Sequence, residues 1–161
     1  MDYLWTPWRY QYITNAAGQP GQCIFCAAGS MTGDDRQALV VYRGAHSFVI
    51  LNRFPYTSGH VMVVPYAHIA TPEDLPEDTL SEMMLLARDA VKHLRALYRP
   101  DGLNLGMNIG QSAGAGIAGH IHMHVLPRWT GDTNFMTVTG ETRVLPEALE
   151  ATWEKLSTAF R

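Results

Sequence analysis

Little in this chain of 161 residues speaks for secretion, membrane insertion or a broad polyanion-binding surface. It has only two cysteines, Cys23 and Cys26, too few and too close together for a disulfide framework. No apolar run approaches the roughly 20 residues needed to span a bilayer, and Met1-Asp2-Tyr3-Leu4-Trp5 lacks the basic-then-apolar layout of a secretory signal. A cytoplasmic protein is expected. The formal charge is −3, so the basic field that duplex nucleic acid requires is missing, while small anionic ligands held by a few local donors are compatible with it. There is no internal repeat and no low-complexity tract. The 47 % hydrophobic and 17 % charged content is that of one soluble domain. At this length folding buries roughly 68–70 % of the unfolded chain's surface, so stability alone accounts for no unusual residue.

What the chain does have is histidine, seven in all, and three of them alternate in His120-Ile121-His122-Met123-His124-Val125-Leu126. The period of a strand sends these imidazoles to one face and Ile121, Met123 and Val125 to the other, which must be the buried one. Three adjacent imidazoles resist simultaneous protonation, so at least one stays neutral near neutral pH and serves as nucleophile, base or metal ligand. A lone strand histidine is usually just solvated or hydrogen-bonded. Three at alternate positions beside the segment from Gly110 to Gly119 call for a chemical reading. Glycines such as Gly114 and Gly116 let backbone N–H groups close on phosphate oxygens; the plain alternative for this segment is a hairpin turn. His46 and His93 have no such context and read as surface or strand-end residues.

The rest of the chain reads as an α+β fold. Tyr3 to Ile13, rich in Trp, Tyr and Arg, forms an arm, and Asn15 to Asp35 is a loop that carries the cysteines. Strand patterns run from Ala38 to Tyr42, His46 to Asn52 and Gly59 to Pro65, then from Leu103 to Ile109 and His120 to Pro127. Between Glu77 and Tyr98 the residues Leu80, Met83, Met84, Ala87, Val91, Leu94 and Leu97 fall at helical steps of three and four. Acids at the start and bases at the end suit the helix dipole, and Arg99-Pro100-Asp101-Gly102 stops the helix. A second helix spans Pro146 to Phe160, with Leu149, Trp153 and Leu156 on one face. The expected architecture is a mostly antiparallel sheet of about five strands with one long helix packed on it and a C-terminal helix.

The run from His120 to Leu126 matches in full the pattern His-φ-His-φ-His-φ-φ, and the chain resembles the histidine triad (HIT) superfamily of nucleotidyl hydrolases and transferases. Asn52-Arg53-Phe54-Pro55-Tyr56-Thr57-Ser58-Gly59-His60-Val61-Met62-Val63-Val64-Pro65 is similar to the family's second segment. The motifs Leu4-Trp5-Thr6-Pro7-Trp8-Arg9, Pro127-Arg128-Trp129 and Gly131-Asp132-Thr133-Asn134-Phe135 resemble the bacterial diadenosine tetraphosphate phosphorylase branch. The resemblance implies one HIT domain over 1–161, with an arm and loop at 1–22, a core at 23–129 and an extension at 130–161. It implies that His122 is a nucleophile that forms a nucleotidyl-histidine intermediate, that His124 hydrogen-bonds the phosphoryl group and that His60 helps orient the triad. It also implies that Asn52 holds ribose hydroxyls and that Asn108 lies near the phosphates. Both asparagines read equally well as turn or strand-end residues. The chain departs from the family at Gly116-Ile117-Ala118-Gly119, where members carry Ser or Thr against the leaving oxygen; Gln111 and Ser112 stand earlier in the loop.

Cys23-x-x-Cys26 is the half-site of a tetrahedral zinc centre, with a redox pair as the rival reading. Zinc-containing relatives complete such a site with a histidine after a strand-ending proline and with the first triad histidine, which implies His68 and His120 here. A metal held by four protein ligands is structural, because no position is left for water. The expected function is cleavage of dinucleoside polyphosphates, with adenine nucleotides as substrates, in a homodimer or higher homo-oligomer with no nucleic acid or membrane partner. The alternatives are a nucleoside phosphoramidate hydrolase, a catalytic zinc held by the three triad histidines, and a nucleotide-binding module with little turnover.

Overall fold

A computed structural model describes residues 23–132 and 147–161. The arm motif at Leu4 to Arg9 and the stretch from Thr133 to Phe135 lie outside the described residues. Among the described residues five strands form one antiparallel sheet: β1 (Val40–Arg43), β2 (Ser47–Leu51), β3 (Val61–Pro65), β4 (Gly102–Met107) and β5 (Met123–Arg128), in the order β1-β2-β3-β5-β4. Among the described residues four α-helices accompany it: α1 (Ile24–Ser30), α2 (Asp35–Ala38), α3 (Glu77–Tyr98) and α4 (Leu149–Ala159). No helix among the described residues is long and apolar enough to cross a membrane.

The middle of the sheet is buried on both faces, so all five residues of β2 and of β3 are inaccessible, whereas edge strand β4 is partly exposed. Strand alternation sends Val49, Leu51, Val61, Val63, Met123 and Val125 to the α3 side, where they pack with Met83, Ala87, Ala90, Leu94 and Ile121. It sends Phe48, Ile50, Met62 and Val64 to the other side, against Phe25 and Ala28 of α1. Gly29 lets α1 come close: a Cβ there would meet the Phe48 and Tyr66 rings at 3.2 Å. Met62 and His124 are register partners, so the triad strand shows its histidines to the α1 side.

Several expectations need correction. Cys23 and Cys26 do not sit in a loop, because Cys23 is the N-cap residue of α1 and Cys26 lies in its first turn. Seven residues with no capping side chain give little sequence signal for a helix; its burial against the sheet sustains it. His120 and His122 precede β5, which begins at Met123, because the His120 backbone binds elsewhere, its N–H donating to the Ile117 carbonyl at 3.5 Å. Helix α3 has its expected bounds, yet Met84 and Leu97 are 52 % and 40 % exposed. Its buried face is narrower than the apolar stripe and is centred on Met83, Ala87, Ala90 and Leu94. Strand β4 ends at Met107, so Asn108 and Ile109 lie past it. In α4, Leu156 is fully buried and Trp153 donates its indole N–H to the Val40 carbonyl at 2.7 Å.

Candidate active site

Hydrogen bonds on the ring nitrogens assign each histidine a tautomer, and with it a role. The nearest partner of His122 Nδ1 is the His120 carbonyl oxygen at 2.8 Å. A carbonyl only accepts, so the proton is on Nδ1 and the lone pair is on Nε2. His122 is 5 % exposed, and burial pushes its pKa down from the ordinary imidazole value, against the opposing effect of that carbonyl. Its ring lies 4.9 Å from the Phe25 ring and 5.0 Å from that of His124, centroid to centroid.

His124 has the opposite tautomer. The Tyr56 backbone N–H donates to His60 Nδ1 at 3.1 Å, which leaves the His60 proton on Nε2. That Nε2–H lies 2.9 Å from His124 Nδ1, so His124 accepts there and carries its own proton on Nε2. His60 is 1 % exposed, and the Tyr56 ring packs on both imidazoles, with centroids at 4.8 and 6.1 Å. The loop supplying the Tyr56 N–H is itself tied down. Asn52 Oδ1 accepts the Phe54 N–H at 3.0 Å, the Asn52 N–H donates to the His60 carbonyl at 3.1 Å, and Thr57 Oγ1 donates to the Pro127 carbonyl at 2.9 Å.

His120 faces away from this pair. Its Nε2–H donates to the Pro65 carbonyl at 2.9 Å, which turns the Nδ1 lone pair toward the sulfurs of Cys23 and Cys26, at 3.3 and 3.6 Å. His68 Nδ1 lies 3.3 Å from Cys26 Sγ. One ligand atom from each of Cys23, Cys26, His68 and His120 falls within 4.8 Å of the others. A tetrahedral zinc with bonds of about 2.3 Å to sulfur and 2.0–2.1 Å to nitrogen separates S and N ligands by roughly 3.6 Å, so these contacts are the edges of such a tetrahedron. Burial, followed by the hydrogen bond and charge of Cys23, pushes the Cys26 thiol up, a cost that a bound dication reverses. Burial likewise lowers the pKa of His120, and neighbouring His68 and His122 lower it further, while the Pro65 carbonyl opposes them. The donor set therefore fits zinc. A metal shared by all three triad histidines does not fit, because His120 points away from His122 and His124.

The remaining candidates are more scattered. Asn52 is 6 % exposed, with its carboxamide oxygen engaged by the loop. Asn108 follows the last residue of β4. Gly114 has φ +88°, a conformation suited to glycine, and its N–H closes the short turn onto the Gln111 carbonyl at 2.9 Å. Gln111 and Ser112 are exposed on that turn, and Gly116 is half-buried. His46 lies 3.5 Å from Asp78 at the surface, and His93 packs on Phe160. Sequence reasoning missed Phe25, whose signal was its place between the two cysteines, and it missed the backbone groups of Tyr56, Pro65 and His120, for which a sequence carries no signal.

A family model described as the HIT domain matches residues 34–131. The chain belongs to the HIT domain family. Among curated relatives of this HIT protein, the AP-4-A phosphorylase of Mycobacterium tuberculosis is 39 % identical over 168 residues, covering 99 % of this chain and 85 % of the relative. A Zn-bound histidine triad family protein from Mycobacterium smegmatis matches in structure with a TM-score of 0.68 at 28 % identity, covering 86 % of this chain and 93 % of the other. The diadenosine triphosphate hydrolase of Plasmodium falciparum, solved with Cyclomarin A, shares the fold with a TM-score of 0.63 at 17 % identity, covering 94 % of each chain.

Proposed function

We propose that this HIT protein is a nucleotidyl hydrolase or transferase that splits dinucleoside polyphosphates, with diadenosine tetraphosphate as the type substrate. The observation that carries this reading is the hydrogen bond of buried His122 Nδ1 to the His120 carbonyl, which leaves the Nε2 lone pair of an imidazole packed beside the His124 ring. The likeness to an AP-4-A phosphorylase over nearly the whole chain supports the substrate class.

In the first step His122 Nε2 attacks the α-phosphorus. A P–N bond forms, and the P–O bond to the rest of the polyphosphate breaks, its electron pair leaving with the departing phosphate. The ring becomes cationic, and the His120 carbonyl on Nδ1–H stabilises that charge. His124 donates its Nε2–H to a phosphoryl oxygen, while His60 holds His124 in the donor tautomer. In the second step an oxygen of water or inorganic phosphate attacks the phosphorus, any proton it carries passes to solvent, and the P–N bond breaks with its electron pair returning to Nε2, which restores neutral His122. Asn52 is assigned to the ribose hydroxyls and Asn108 to the phosphates, and Gly114 and Gly116 keep side chains out of the phosphate path. Cys23, Cys26, His68 and His120 would hold a structural zinc, which supplies a cross-link and no open coordination position. The assembly is a homodimer or a higher homo-oligomer.

Incubation of the purified protein with diadenosine tetraphosphate, with and without inorganic phosphate, tests the reading. ADP plus ATP formed only with phosphate identifies a phosphorylase, and AMP plus ATP formed without it identifies a hydrolase. Binding with no product under either condition overturns the dinucleoside polyphosphate reading in favour of a phosphoramidate hydrolase or a binding module.

A further inference from the structure

Helix α1 carries the two cysteines and Phe25, yet its own sequence does little to hold it. It has seven residues, no side-chain hydrogen bond at its N-cap, no acid in its first turn and no base in its last. A helix this short is marginal alone, and its last carbonyls have no partners within it. Arg43, at the end of β1, supplies them. Its Nη1 donates to the Gly29 carbonyl at 2.8 Å, and its Nη2 donates to the Ala28 and Met31 carbonyls at 3.0 and 2.9 Å. Its Nε donates to Asp35 Oδ1 at 2.8 Å, which fixes the plane of the guanidinium. One rigid fork thus collects three carbonyls at the negative end of the helix, an arrangement that the single point charge of lysine does not reproduce.

The other end of the helix meets the active site. Phe25, 2 % exposed, lies 4.9 Å from the His122 ring and 5.4 Å from the His120 ring, and the Cys23 and Cys26 sulfurs face His120 and His68. A helix slipping along the sheet would move the wall of the nucleophile and half of the metal ligands together. We propose that Arg43 is a positioning residue: by clamping the carbonyl end of α1 it holds Phe25 against His122 and the two sulfurs in ligating position. This inference rests on the assignments made under Proposed function, His122 as nucleophile and the Cys2His2 set as metal site.

The test compares Arg43→Ala and Arg43→Lys with Trp153→Phe, a control that removes a half-buried hydrogen bond on α4 rather than α1. The proteins are loaded with Co²⁺, and the rate of cobalt loss to a chelator is followed by absorption well below the melting temperature. Then kcat and KM for diadenosine tetraphosphate and the ring ¹⁵N shifts of His122 are measured. Arg43→Ala is expected to lose cobalt about tenfold faster and to drop kcat about tenfold with KM within about twofold, since small misplacements of a reacting group are costly. Arg43→Lys, which guards against a failure of the alanine variant to fold, should fall between, and Trp153→Phe should match the wild type in both rates. Wild-type cobalt loss and kcat in both Arg43 variants, or equal changes in Trp153→Phe, overturn the clamp. Wild-type protein that takes up no cobalt refutes the metal assignment, and the clamp is then judged by the kcat and KM split. Wild-type protein without turnover refutes the substrate assignment, and the clamp is then judged by cobalt loss and by the His122 shifts.

Discussion

His122 and His124 are the same side chain two residues apart, and the groups on their Nδ1 atoms favour opposite tautomers. A carbonyl acceptor on His122 leaves a lone pair at Nε2, whereas a donor imidazole on His124 leaves a proton there. His122→Ala should therefore abolish turnover while nucleotide binding stays within about tenfold, because only the covalent step is lost. A binding titration alongside product chromatography checks this, and full activity in the variant sinks the covalent mechanism. His60→Leu probes the other half of the arrangement. It removes the donor that sets the His124 tautomer, and kcat should fall about 10²-fold with KM little changed, the scale on which misplaced proton donors act. A change confined to KM would assign His60 to substrate binding instead.

At the scale of elements, α4 is fastened to α3 by a polar cluster around Glu147. Its carboxylate accepts hydrogen bonds from the Tyr98 hydroxyl at 2.5 Å and from Thr152 Oγ1 at 2.8 Å, and it pairs with Lys155. Burial alone would raise the pKa of Glu147, but the hydrogen bonds of Lys155, Tyr98 and Thr152 outweigh it and hold the pKa below the usual carboxylate range. A lowered folded-state pKa contributes stability that is present above the unfolded value and lost as pH falls through the folded one. Glu147→Gln should therefore cost roughly 1–3 kcal/mol near pH 7 and little at acid pH, as read by urea unfolding at both. An equal cost at both pH values would show that the charge is immaterial. None of this cluster was legible in the sequence, since its partners are 49 residues apart in Tyr98 and Glu147. Helix α3 was legible to its last residue because 22 residues carry an apolar stripe, terminal charges of the right sign and a stop. The strands were legible to within a few residues, but the pairing of β5 with β3 was not, because a period-two pattern says which face is buried and nothing about a neighbour distant in the chain. Helix α1 escaped for the opposite reason, as it is held by Arg43 and the sheet rather than by its own residues.

At the scale of the whole molecule, the Cys2His2 cluster joins parts of the chain that are distant in sequence. Two ligands are on α1, His68 follows β3, and His120 precedes β5, so a zinc there closes loops between residues 23, 68 and 120. The triad pattern drew attention to the histidine segment, and the spacing of the cysteines to half of the Cys2His2 cluster. That His120 turns toward the cysteines while His122, two residues on, turns toward His124 depends on the Pro65 carbonyl, which no sequence pattern announces. A ligand that binds only the folded state stabilises it by about 2.7 kcal/mol at a hundredfold excess over its Kd. The melting temperature of the wild type should therefore climb with added zinc and fall with a chelator, at about one metal per chain. In Cys23→Ser/Cys26→Ser the metal should be absent and the melting temperature indifferent to both additions. The His122 Nδ1–H bond to the His120 carbonyl links the two sites, so kcat in the variant should drop more than KM rises. Stoichiometric metal and full activity retained in the double variant would remove the zinc from the cysteines and return the triad histidines to contention as its ligands.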